Sequence, residues 1–106
     1  MGRESFSGHL DLLLLAALRT EPRHGYAVIE HMRTASAGRF DYPEGTVYPA
    51  LHRLEEDGQL RSRWSQVDGR RRRVYELTAQ GQRALVGRQR EWEHFSRSIG
   101  AVLEGT

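Results

Sequence analysis

The fold turns on Leu60–Leu77, LRSRWSQVDGRRRRVYEL. Asp68-Gly69 sits between two alternating segments, Leu60–Ser65 and Arg72–Leu77. An Asp-Gly pair in that setting is the strongest two-residue hairpin signal, because both central residues of the tight turn need positive φ. Centring the turn there fixes the register. Leu60 then faces Leu77, Ser62 faces Tyr75 and Trp64 faces Arg73 on one side, while Arg61 meets Glu76 on the other. Opposite charges across a strand pair are favourable, so one register satisfies both faces.

The hairpin is also the most basic part of the chain. Six arginines stand between Arg61 and Arg73 against a single acid, Asp68, which makes +5 locally in a protein whose net charge is only +2. A solvated charge run is the ordinary explanation for four consecutive arginines. A concentrated stripe of this kind is also the electrostatic footprint of a polyanion partner.

Helical patterns flank the hairpin. Upstream, a first helix is predicted over about Gly8–Arg19. Leu10, Leu13, Leu14 and Ala17 share a face that Leu12, Leu15 and Leu18 broaden, the pattern of a helix central to a core. Its apolar run contains Asp11, lacks a small-residue cleavage site and is far too short to span a bilayer, which takes about 20 apolar residues. It reads as a buried helix of a cytoplasmic protein with no membrane partner. A second helix follows at about Tyr26–Ala35, with Val28, Ile29, Met32 and Ala35 inward. The third runs from Pro43 or Glu44 to Gly58, with Val47, Ala50, Leu51 and Leu54 inward and the glycine as a left-handed cap.

Downstream, Thr78 caps a long helix over about Ala79–Leu103. Leu85, Trp92 and Ile99 recur every seven residues, Phe95 and Val102 form the offset set, and Arg88 is the one polar member. That is an a/d seam with no partner inside a single small domain. The predicted dimer interface is therefore Leu85, Arg88, Trp92, Phe95, Ile99 and Val102.

Three helices with an appended hairpin make a winged helix-turn-helix, a mainly α fold of the α+β class. Residues 1–78 form the DNA-binding part and residues 79–106 a dimerisation helix of the same compact unit. A chain of 106 residues allows one domain. With no cysteine there is no disulfide, zinc finger or thiol nucleophile. His9, His24, His31, His52 and His94 are scattered and form no metal motif, and Glu55, Glu56 and Asp57 make no catalytic pair. Neither an enzyme nor a cofactor is expected.

Three segments, HGYAVIEHM, EGTVYPALHRLEEDGQL and DGRRRRVYELTAQG, together resemble the PadR family of bacterial transcriptional regulators over about Leu10 to Leu85. With a single helix after the wing, the chain is similar to the smaller members. The resemblance implies a homodimeric transcription factor, usually a repressor, that often responds to a small molecule. Two other readings stay open: a nonspecific architectural DNA protein, and a winged-helix module for protein–protein contact.

In a helix-turn-helix the third helix enters the major groove. Its outward residues here are Thr46, Tyr48, Pro49, His52 and Arg53, of which the first three match the family's threonine-x-tyrosine-proline pattern. Packing against the second helix is the alternative for Tyr48. Tyr26, opening the second helix beside His24, is a candidate phosphate contact. On the wing, Arg70, Arg71 and Arg72 are the expected DNA contacts, while Arg73 is expected to stack on Trp64. An inverted-repeat operator on double-stranded DNA follows from a twofold particle. Trp92 is either dimer core or, as some family members imply, one wall of an aromatic-effector pocket with Phe95, Leu12 and Leu15.

Overall fold

The computed structural model describes residues 9–105. In chain order these form α1 (Leu10–Ala17), β1 (Arg23–His24), α2 (Gly25–Ala35), α3 (Glu44–Glu56), β2 (Leu60–Val67), β3 (Arg70–Leu77) and α4 (Ala79–Leu103). The predicted helix-helix-helix-hairpin-helix order is present.

α1 lies at the centre. Leu14 and Leu15 are fully buried, Leu10, Ala17 and Leu18 nearly so, and Leu12 and Leu13 pack against the same cluster. α2 adds Val28, Ile29 and Met32, but Ala35 is exposed at the helix end. α3 adds Val47, Ala50, Leu51 and Leu54. Its chain leaves through Gly58, whose φ of +80° is left-handed, and Gln59 N–H donates to the Leu54 carbonyl at 2.9 Å. That bond closes the helix as a glycine cap should.

The hairpin register is the predicted one, Leu60↔Leu77, Arg61↔Glu76, Ser62↔Tyr75 and Trp64↔Arg73. Pairing continues out to Val67↔Arg70, so both strands are longer than their alternating segments. The turn permits this: φ is +53° at Asp68 and +77° at Gly69, the mirror-image geometry that matches strand twist.

A third strand was not legible. β1 pairs Arg23 with Tyr75 and His24 with Val74, giving the sheet order β1-β3-β2. Two residues carry no periodicity, so only the packing reveals them. Arg23 Nε also donates to the Ala17 carbonyl at 2.8 Å, tying the strand to the end of α1.

α4 starts as predicted, with the Thr78 hydroxyl accepting from Gly81 N–H at 3.0 Å. Its first turn is stapled to the end of α3. Thr78 Oγ1 donates to the Gly58 carbonyl at 2.6 Å and Gln80 Nε2 to the Asp57 carbonyl at 3.0 Å. Leu85 is 4 % exposed and belongs to the core of the chain itself, so it is not free for the dimer interface predicted for it. The first turns of α4 lie on the domain, and the seam becomes free only where the helix leaves it. From there Trp92, Phe95, Ile99 and Val102 are exposed, in a molecule 56 Å long and 28 Å wide. No helix among the described residues is long and apolar enough to cross a membrane.

Candidate nucleic-acid interface

The wing is built against α3. Ser62 Oγ donates to Glu55 Oε2 at 2.7 Å, and Arg73 Nε donates to Ser62 Oγ at 2.8 Å. Arg73 Nη2 also stands 3.8 Å from Glu55 Oε2. The acidic end of α3 is thus a clamp on the hairpin as well as a solvated helix end. Through Ser62, Arg73 and Glu55 the hairpin is fastened directly to the third helix.

The six wing arginines divide into two sets. Arg61 Nε donates to Glu76 Oε1 at 2.9 Å, and Arg63 lies 3.8 Å from the same oxygen. Arg73 is held as described. Arg70, Arg71 and Arg72 at the tip enter no salt bridge among the described residues. The ion-paired arginines lie toward the hairpin base, three cations on the two carboxylates Glu55 and Glu76, and Arg70, Arg71 and Arg72 lie toward its tip. Trp64, half-exposed, orders them: the Arg73 guanidinium carbon is 5.4 Å from its ring centroid, as expected, and that of Arg71 is closer at 4.6 Å. Arg71 is stacked as well, since it lies two residues from Arg73 on the same face of β3 and is the diagonal neighbour of Trp64.

On α3, Thr46, Pro49, His52 and Arg53 face outward and are exposed. Two of the predicted contacts have partners within the chain. Arg53 Nη1 donates to Asp11 Oδ2 at 2.9 Å and Nη2 to Asp11 Oδ1 at 2.8 Å. This bidentate pair raises the guanidinium pKa and turns Arg53 toward α1. Tyr48 is half-buried, and its ring covers Gly25 so closely that a Cβ there would fall 2.2 Å from Cε1. Packing against α2 is its first role, and burial raises its phenol pKa, with Glu44 adding and Arg72 opposing.

At the start of α2, His24 is itself the cap. Its Nδ1 accepts from Ala27 N–H at 3.3 Å, so the imidazole fills the position proposed for a phosphate. Burial, then the charge of Arg72, holds its pKa below the usual imidazole range. Tyr26 stacks at 6.5 Å on that ring and stays exposed. Its hydroxyl bonds to Glu30, which raises the phenol pKa, and Glu30 is also paired with Arg33.

Leu12, Trp92 and Phe95 meet in a groove of about 200 Å³ between α1 and α4, with His9, Arg88 and Glu91 completing the lining. Three of the four residues expected of an effector pocket are together. Leu15 is not among them, because it is fully buried one helical face away, in the core. Sequence reasoning missed Asp11, Glu55 and Ser62. Asp11 had a signal, as the one charged residue in the apolar run Leu10–Leu18.

Among the described residues no group of His, Asp or Glu is placed to hold a metal ion. A winged helix with an arginine-rich hairpin fastened to an outward-facing third helix defines a DNA-binding protein. The family model for transcriptional regulators of the PadR-like family matches residues 14–86. The chain belongs to that family, which is one of regulators and not of enzymes.

It is 43 % identical over 77 residues to the transcriptional regulator Rv3488 of Mycobacterium tuberculosis, covering 73 % of this chain and 59 % of that one. The chain thus spans less than two thirds of that relative. A transcriptional regulator from Clostridium thermocellum superimposes with a TM-score of 0.84 at 26 % identity, over 92 % of this chain and 96 % of the other. A PadR family regulator from Eggerthella lenta superimposes at 0.81 with 30 % identity, over 100 % and 91 %.

Proposed function

We propose that this regulator is a homodimeric, sequence-specific repressor that works on DNA in the cytoplasm and is relieved by a small flat aromatic ligand. The observation that carries this reading is the apolar strip of α4. Trp92, Phe95, Ile99 and Val102 are 45 %, 55 %, 45 % and 78 % exposed, on a helix face that the described chain borders only at Trp92 and Phe95, beside Leu12. Exposed aromatic and branched residues in one line mark an interaction surface. A second copy of the same helix is the occupant whose periodicity matches. Two subunits then carry two α3 helices and two wings, which calls for an inverted repeat with half-sites about one turn, some 34–36 Å, apart.

In this reading Thr46, Pro49 and His52 face the bases. Tyr48 contributes through the edge that packing leaves open. Arg70, Arg71 and Arg72 grip phosphates, and Tyr26 lies at the margin. The residues named for the dimer are Arg88, Trp92, Phe95, Ile99 and Val102. The groove beside Trp92 would take the ring of the effector, with Leu12 and Phe95 as its walls.

The test is selection from a random duplex library, followed by sedimentation of free and DNA-bound protein. The expected result is an enriched inverted repeat bound by two chains. Enrichment of no sequence, or a single chain in both states, overturns the reading. Titration with planar aromatic compounds should quench tryptophan fluorescence in the natural protein and not in Trp92→Ala.

A further inference from the structure

One carboxylate touches both functional regions. Asp11 projects from α1 with its side chain only 14 % exposed. It accepts both bonds of the Arg53 guanidinium from α3, at 2.9 and 2.8 Å. The same Oδ2 that accepts from Arg53 Nη1 also faces Arg88 Nη2 of α4 at 3.5 Å. Arg88 in turn lines the groove with Leu12, Trp92 and Phe95. Two cations therefore share one anion, and they belong to opposite ends of the molecule's work. Arg53 stands on the helix that faces DNA, with 51 % of its side chain exposed, and Arg88 on the wall of the ligand groove.

Arg53 ties α3 to Asp11 and Arg88 ties α4 to the same carboxylate, so two helices draw on one negative charge. Arg53 is bound closely and in the bidentate fork, whereas Arg88 is at the outer limit of a hydrogen bond. Whatever draws Arg88 away leaves Asp11 entirely to Arg53. Whatever draws Arg53 away leaves it to Arg88.

We propose that Asp11 is a positioning residue that couples the α1–α4 groove to the DNA-facing helix by dividing its charge between Arg88 and Arg53. The proposal rests on the DNA-binding reading above and adds a direction to it. An anionic group in the groove engages Arg88, Asp11 then holds Arg53 back, and DNA binding weakens. A DNA phosphate that takes Arg53 frees Asp11 to close on Arg88, which weakens the same anion in the groove. Linkage makes the two factors equal. The ligand class this selects is one that presents a negative charge to Arg88. A neutral ring packed only on Trp92 leaves the division unchanged.

The coupling can be measured without any ligand. The full chain, as Asp11→Asn, Arg88→Met and the double variant, is titrated against the duplex recovered by selection, over a range of salt. Arg88→Met removes one competitor and should weaken DNA binding about 5-fold, the low end of ordinary coupling. In the Asp11→Asn background the same change should have less than a twofold effect. Asp11→Asn alone should tighten binding and steepen the salt dependence by about 0.9 for each Arg53 released to a phosphate. A folding defect moves neither the slope nor the difference between backgrounds in that way.

If Asp11→Asn does not fold, Arg53→Gln replaces it and should equally abolish the effect of Arg88→Met. An equal effect of Arg88→Met in both backgrounds overturns the proposal, because a change in dimerisation or in net charge would act in both alike. A second readout is independent of DNA. Rotation of the Arg53 guanidinium, followed by side-chain NMR of the free protein, should slow in Arg88→Met. Should the natural protein bind no duplex, the DNA reading falls on that result, while unchanged rotation of Arg53 is what sinks the coupling.

Discussion

Neutralising the wing tip tests the division of the arginines into paired and unpaired sets. The perturbation is Arg70→Gln, Arg71→Gln and Arg72→Gln together. None of the three enters a salt bridge among the described residues, so their loss strands no carboxylate. Each cation that neutralises a phosphate contributes a slope of about 0.9 to the fall of log K with log salt. Arg70 and Arg71 are exposed and Arg72 is half-buried, so two or three contacts per subunit are available. In a dimer that is a slope of about 3.6 to 5.4. Between roughly 50 and 200 mM salt, the natural protein should then lose about 10² to 10³ in affinity that the variant does not lose.

The control is Arg61→Gln alone, which removes a charge already paired with Glu76 and leaves Arg63 beside that carboxylate. It should change the slope by less than about one. The assay is fluorescence anisotropy on both a selected and a random duplex. The tip variant should be weaker on both to a similar degree, since phosphate contacts carry no sequence information. The reasoning is refuted if the Arg61→Gln variant flattens the salt dependence as much as the tip variant does. It is equally refuted if the tip variant loses affinity for the selected duplex alone.

Other consequences concern stability and association. Leu85→Ala should cost about 2–5 kcal/mol at any protein concentration, since the side chain is buried in its own subunit. Ile99→Ala, on the exposed strip, should instead lower the unfolding midpoint in a way that more protein reverses; chemical denaturation at several concentrations separates the two. Gly81→Ala should destabilise even though alanine favours a helix by about 1 kcal/mol, because the new Cβ would fall 2.0 Å from the Gln59 carbonyl oxygen. A midpoint at or above that of the natural protein would contradict the close approach.

His24 gives a pH dependence. Its lowered folded pKa means that the unfolded chain takes up the proton first, so stability is present above about pH 6.5 and falls as pH drops below it toward the folded value. Thermal melts from pH 7.5 down to about 5.5 should show a smaller decline in His24→Asn, which keeps a capping oxygen but no titrating group.

The parts legible in the sequence were those set by local rules. The Asp68-Gly69 turn has one favoured geometry, and strand alternation then fixed which side chains oppose each other out to Leu60 and Leu77. The inward set of α3 followed from helical spacing, and the caps at Gly58 and Thr78 from the chemistry of helix ends. The family was legible for the same reason, since its motifs are these turns and spacings.

What the tertiary structure alone decided is which of several plausible neighbours each polar or apolar side chain meets. Periodicity placed Leu85 and Ile99 on one stripe, but only packing buries the first and exposes the second. Spacing turned Arg53 outward from α3, but only the fold brings Asp11, 42 residues earlier, within reach of its guanidinium. β1 exists solely because β3 offers it an edge. Local conformation depends on a few adjacent residues and can be read from them; long-range pairing depends on distances that no stretch of chain contains.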